Sequence, residues 1–286
     1  MIRSLLTKMR TFKAGIEMLP PLVDKIQQAL LENRVSTLLE DPRYADPRSL
    51  TPHRFKLFSQ YGQDGMIAEI FRRIGPGKQR FVEIGTAPLE NNTGFLLFQG
   101  WSGLWLDSAL PPDSEMPGNL GALMEAGKLR CERPFLTREN VRSILAKAGF
   151  DREIDFLGID VDYNTFHLFK ACLAVRPRVF SLEYNGQLPA FLDWVAPYRE
   201  EAVWDKTFAY GASLKALERV AREGGYSLVG CDLSGSDAFF VRDDLLGEHF
   251  LAPYTAERHW EPLRMGLDSR TGHGPAYPLR GEPDAG

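Results

Sequence analysis

Residues 80–107 read RFVEIGTAPLENNTGFLLFQGWSGLWLD. The apolar runs RFVEIG and GLWLD each suit a buried strand, and NTGFLLFQ between them spaces its apolar residues as a helix does. Strand, helix and strand in so short a stretch make a βαβ unit, whose two strands run parallel. The alternation continues downstream: helix RENVRSILAKAG, strand DFLGID, helix NTFHLFKACLA, strand VFSLEY, helix GASLKALERVAREGG, then strands YSLVGCD and DAFFVRD. Upstream, a helical segment runs from Asp64 to Arg73. The last two strands are separated only by Leu-Ser-Gly-Ser, too little for the crossover a parallel pair needs, so they form an antiparallel hairpin. The pattern predicts an α/β fold: a mostly parallel sheet, covered on both faces, ending in a C-terminal antiparallel hairpin.

The chain has 286 residues, enough for one large α/β core with an accessory segment. Hydrophobic residues at 44% and charged residues at 25% exclude a disordered or fibrous chain. The net charge of -4, with no basic tract interleaved with aromatics, argues against nucleic acid and for a small-molecule or glycan substrate. Cys131, Cys172 and Cys231 are far apart in apolar stretches, which suits reduced, packed thiols and a cytoplasmic protein rather than a disulfide framework or a zinc site. No apolar run is long enough to span a bilayer.

Three segments follow. Residues 1–52 read as an N-terminal helical extension and linker: a basic amphipathic stretch, a helix over 21–39, and the proline-punctuated DPRYADPRSLTP. The basic stretch is expected to pack on the domain or on a partner, with weak peripheral membrane contact as the lesser reading. Residues 53–250 form the α/β domain. Residues 251–286 read as a tail or lid carrying His259 and His273.

In open α/β sheets ligands bind beyond the carboxyl ends of the strands. The first strand ends in Glu83-Ile84-Gly85 and is followed by Asn91-Asn92-Thr93; the second ends at Asp107. Gly85 permits close backbone approach by a nucleoside, and Asp107 offers a carboxylate to ribose hydroxyls. Asp160 and Asp162 end the next readable strand, with Glu183 and Asn185 ending the one after. Alternation would set Asp160 and Asp162 on one side, where these four side chains hold a divalent cation, orient a hydroxyl or supply a base. The bland alternative is that the acids cap the following helix or pair with Arg176 and Arg178. Likewise Gln60 and Asp64 either cover a cofactor or simply start a helix, and Tyr210, Gly211 and Ser213 either face substrate or cap the helix they open.

Taken together, SQYGQD at Ser59–Asp64, FVEIG, NNT, GWSGLWLD, DFLGIDVD at Asp155–Asp162, LEYN at Leu182–Asn185 and GASLKAL after Tyr210 resemble the FkbM-type and related bacterial methyltransferases. The resemblance runs from about Phe58 to about Arg242. It implies a Rossmann-like class I methyltransferase fold, with a mostly parallel seven-stranded sheet and a C-terminal antiparallel hairpin, and an S-adenosylmethionine-dependent O-methyltransferase acting on a hydroxyl of a sugar, glycan or glycosylated small molecule. Its cofactor residues would be Gln60, Glu83, Gly85, Asn92, Thr93 and Asp107; its catalytic residues Asp160, Asp162, Glu183 and Asn185. Mg2+ or Mn2+ would sit on Asp160, Asp162 and Glu183, and a homo-oligomer is compatible. One departure stands out: where the superfamily has Gly-x-Gly, this chain has Gly85-Thr86-Ala87-Pro88. Either Asn91, Asn92 and Thr93 supply the missing contacts or the site is altered. Two other readings remain at this stage. Asp160-Val161-Asp162 resembles the metal-nucleotide motif of glycosyltransferases that use nucleotide sugars, and the altered loop would also suit a non-catalytic scaffold with a degenerate pocket.

Overall fold

The computed structural model describes residues 23, 25–118, 120–204, 207–264 and 266–267. Seven strands form one sheet: β1 (Arg80–Ile84), β2 (Ser102–Leu106), β3 (Leu129–Glu132), β4 (Phe156–Ile159), β5 (Val179–Glu183), β6 (Tyr226–Cys231) and β7 (Asp237–Arg242), in the order β3-β2-β1-β4-β5-β7-β6. The ladders from β3 to β5 are parallel, and β7 is antiparallel to both β5 and β6. The expected mostly parallel sheet with a C-terminal hairpin is therefore present. Its turn is organised by Asp232, whose carboxylate accepts the backbone N–H groups of Ser234, Ser236 and Asp237 at 2.9, 2.9 and 2.6 Å.

The helices are α1 (residues 25–39), α2 (Gln63–Ile74), α3 (Gly94–Phe98), α4 (Leu120–Glu125), α5 (Val141–Lys147), α6 (Thr165–Cys172), α7 (Leu214–Glu223) and α8 (Ala256–His259). Successive strand residues point to opposite faces, and each face has its own core. Val82, Leu104, Leu157 and Phe180 meet α5, α6 and α7 on one side. Phe81, Trp105, Phe156 and Val179 meet α2, α3 and α4 on the other. A sheet buried on both faces explains why its central strands read as unbroken apolar runs.

Two expectations change. No segment had been read as β3 or α4. The stretch at 41–52 is not a free linker: it folds into short turns at Pro42–Tyr44 and Thr51–His53 and is fastened to the domain. The Tyr44 hydroxyl donates to Glu261 Oε1 at 2.5 Å, Thr51 Oγ1 donates to the Cys231 carbonyl at 3.1 Å, and Leu50 is buried. The three cysteines are unpaired, as expected. The basic stretch at 1–19 and His273 lie outside the described residues. Among the described residues no helix is long and apolar enough to cross a membrane.

Candidate functional site

The ends of β1 and β2 are adjacent, so the two features sought in the sequence do meet. The Gly85 N–H donates to the Leu106 carbonyl at 3.0 Å, and the Thr86 N–H donates to Asp107 Oδ2 at 3.2 Å. Asp107 Oδ1 accepts from the Ala109 N–H at 2.6 Å. A carboxylate has about four acceptor positions, so Asp107 retains capacity toward a ligand after tying both loops down.

Gly85 is explained by chain crossing rather than by ligand approach. Its φ is +76°, and a Cβ there would lie 1.6 Å from the Asp160 carbonyl oxygen. The turn after β1 and the turn after β4 touch at this glycine. That contact brings Asp160 into the same cavity as Asp107.

The cavity has a volume of about 330 Å3 and opens at the carboxyl ends of the parallel strands. Of the site residues sought in the sequence, Gln60, Glu83, Gly85, Asn92, Asp107 and Asp160 line it; Thr93 does not, and neither does Pro88. Thr93 is fully buried and works through Glu83: its hydroxyl donates to Glu83 Oε2 and accepts from Trp105 Nε1 at 2.8 Å. Glu83 Oε1 accepts from the Asn92 N–H at 2.7 Å. Both oxygens of Glu83 thus hold the Asn92-Thr93 turn, and burial raises its pKa to about 7. Thr93 is corrected from a ligand contact to a positioning residue.

Within SQYGQD, Asp64 is structural. Its Oδ2 accepts the N–H groups of Leu57, Phe58 and Ser59 at 2.7, 2.8 and 2.9 Å, folding the loop ahead of α2. Gln63 is the residue that the sequence reading missed: its Nε2 donates to Asp237 Oδ2 at 2.5 Å, and both line the cavity. Thr86 was missed as well; it is buried, lines the cavity, and its Oγ1 has no partner.

Asp160, Asp162 and Glu183 converge, each offering a carboxylate oxygen within 4.8 Å of the others. Strand alternation is not the cause. β4 ends at Ile159, and Asp162 begins a short 3-10 turn with φ +53°. Asp160 keeps an open face toward the cavity while protein surrounds its other sides; that desolvation and the Asp162 carboxylate raise its pKa to about 6. Burial and the Asp160 charge hold Glu183 well above the usual carboxylate range. Glu183 Oε2 is buried without a donor, so a proton or a cation is what this oxygen lacks. The pairing considered with Arg178 goes instead to Asp155, at 3.3 Å.

Asn185 is corrected from a catalytic candidate to a loop anchor. It is fully buried, its Nδ2 donates to the Phe208 and Tyr210 carbonyls at 2.8 and 3.2 Å, and its Oδ1 accepts the Gln187 N–H at 3.2 Å. This holds Tyr210 beside the acids; burial and then the Glu183 charge push its phenol up to about 12. Ser213 caps α7, its Oγ accepting the Ala216 N–H at 3.3 Å. His167 and His259 bond to backbone carbonyls at 2.9 and 3.0 Å, and burial lowers the pKa of His259 to about 4.

No family model matches this chain, and no curated protein matches it.

Chemically, the site divides in two. Around Asp107 the groups left over are hydrogen-bond acceptors and amides, suited to a polar nucleoside. Around Asp160 they are acids with raised pKa, suited to taking a proton or holding a hard cation. Five of the residues lining the cavity are acids (Glu83, Glu90, Asp107, Asp160 and Asp237), and none is basic.

Proposed function

We propose that this chain is an S-adenosylmethionine-dependent O-methyltransferase acting on a hydroxyl of a sugar, glycan or glycosylated small molecule. The observation that carries the reading is the one-sided lining of the cavity: five acids and no base, at the carboxyl rim of the sheet. Such a lining favours a ligand with a positive centre, as a sulfonium nucleoside has, and repels a bare diphosphate. The resemblance of SQYGQD, FVEIG, NNT and LEYN to FkbM-type enzymes points the same way.

The residues present fit that cofactor. The cavity volume of about 330 Å3 falls within the roughly 300–1,000 Å3 usual for small-molecule sites. The remaining lone pairs of Asp107 suit ribose hydroxyls. Gln60 and Asn92 offer amides, and the orphaned Thr86 hydroxyl gains a partner from any polar ligand there. When bound, S-adenosylmethionine supplies an electrophilic methyl group.

The chain's own part is to position the acceptor and remove its proton. Asp160, ionised at neutral pH and more basic than an ordinary carboxylate, takes the proton of the acceptor hydroxyl. Asp162 and Glu183 orient that hydroxyl. These three carboxylates also form an oxygen set suited to Mg2+ or Mn2+, which would acidify the hydroxyl.

Calorimetry separates the readings. Binding of S-adenosylhomocysteine without added metal supports the proposal. Metal-dependent binding of a UDP-sugar, with none of S-adenosylhomocysteine, overturns it in favour of glycosyl transfer, and binding of neither leaves a scaffold.

A further inference from the structure

Between Glu183, where β5 ends, and Leu214, where α7 begins, the described residues form no helix, and no strand beyond the single bridge of Val195 with Ala212. A connection so long without elements of its own marks a binding loop. Its far end is fixed against the acids. Asn185 holds the Phe208 and Tyr210 carbonyls at 2.8 and 3.2 Å, and a Cβ on Gly211 would lie 3.3 Å from the Asp162 carbonyl oxygen. The Tyr210 ring is buried beside Tyr163, and the Trp204 ring lies against it with centroids 5.7 Å apart. Tyr210 itself feels the charges of Glu183, Asp162 and Asp160.

Two rings of this anchored loop stay open to solvent: Trp204 is 40% and Phe208 71% exposed. The indole is held in orientation, since Trp204 Nε1 donates to the Thr207 carbonyl at 2.9 Å. Fixed aromatic faces beside carboxylates suit a ligand with an apolar face and a rim of hydroxyls. A pyranose ring is such a ligand. Its C–H bonds make a face that packs on aromatic rings, while its hydroxyls donate to ionised carboxylates, which only accept.

A phosphorylated or acidic sugar would bring negative charge against Asp160, Asp162 and Glu183, with no base lining the cavity to offset it. A protein partner covers roughly 800 Å2 on each side, more than two rings present. We infer that Trp204 and Phe208 are the stacking platform of the acceptor site, and that with the neighbouring acids they restrict the acceptor to a sugar ring free of anionic groups. The ring's role as methyl acceptor rests on the methyltransferase reading, whereas the stacking is tested without it.

The test is saturation-transfer NMR of the full chain with the methyl glycosides of glucose, galactose, mannose and rhamnose, and with methyl glucuronide as the anionic counterpart, beside calorimetry with S-adenosylhomocysteine. A neutral glycoside should bind with saturation concentrated on its C–H face, and methyl glucuronide should bind more weakly. Trp204→Ala and Phe208→Ala, at solvent-exposed positions, should each weaken that binding by roughly threefold to tenfold with unchanged circular dichroism, and Trp204→Phe should retain most of it. S-adenosylhomocysteine affinity should be the same in each variant. Absence of binding by every neutral glycoside, equal binding of the glucuronide, or indifference to both alanine variants overturns the inference. So does light scattering that finds a dimer which Phe208→Ala converts to monomer, since a second copy would then cover the rings. Glycoside binding without S-adenosylhomocysteine binding would keep the platform and remove the methyltransferase reading; the converse would keep that reading and remove the platform.

Discussion

Asp237, the first residue of β7, lies directly opposite Glu183, the last residue of β5. Because β7 runs antiparallel, its beginning falls on the rim where the parallel strands end, and a carboxylate from the hairpin joins those from β1, β2 and β4. Burial and the Asp160 charge hold Asp237 well above the usual carboxylate range. Asp237→Asn, which mimics the neutral acid and still accepts from Gln63 Nε2, should change stability by less than about 1 kcal/mol. Asp237→Ala should cost about 1–3 kcal/mol by stranding that amide. Urea unfolding of the two variants checks this, and equal losses would contradict it.

Asp107→Ala should weaken S-adenosylhomocysteine binding by about 1–3 kcal/mol, read by calorimetry, because the carboxylate bonded to Thr86 and Ala109 is also the acceptor offered to the ribose. Unchanged affinity would remove Asp107 from the cofactor site.

Asp160→Asn should lower turnover by about 10²–10⁴-fold and leave cofactor affinity nearly intact. In the unaltered protein, the rate should fall as pH drops through about 6, where Asp160 takes up its own proton. A rate that is flat from pH 5 to pH 8, about the range to scan, would assign the proton to another group.

Glu83 is buried, and its pKa is raised to about 7 from 4.5. The folded state therefore binds its proton more tightly than the unfolded chain does. The associated stability is full below about 4.5 and is lost as pH rises through about 7. Glu83→Gln should flatten this decline by on the order of 2 kcal/mol, seen in denaturant midpoints at either end of the window. A parallel pH profile in the variant would show that Glu83 is not the group responsible.

Gly85→Ala should destabilise by about 2–4 kcal/mol, since the new Cβ lies 1.6 Å from the Asp160 carbonyl oxygen at a positive φ. Cofactor affinity should fall with it, because the same contact joins the two halves of the cavity. A variant of native stability would mean that the turn yields easily.

Six strands, the hairpin pair among them, were legible because a sheet buried on both faces demands unbroken apolar runs, and because four residues between two runs forbid a crossover. β3, LRCE, was not legible: an edge strand, half open to solvent, needs no such run. Glu83, Gly85, Asn92, Asp107 and Asp160 were picked out by looking at and past strand ends, and Gln60 by the SQYGQD motif ahead of the first strand. Thr93 and Asn185 were misjudged because polar side chains at a rim look alike until their hydrogen-bond partners are known. Asp237 was readable in principle, since an antiparallel strand must begin where its parallel neighbour ends.

By itself the sequence determined six of the seven strands, the hairpin among them, and most of the strand ends that carry acids, since periodicity and loop length are local properties of the chain. Only the tertiary structure decided which of those acids face a shared cavity, which are consumed in holding loops, and that Gly85 exists to let two turns touch. Those outcomes depend on contacts between residues far apart in the chain, where hydrogen bonds and desolvation act on three-dimensional neighbours rather than on sequence spacing.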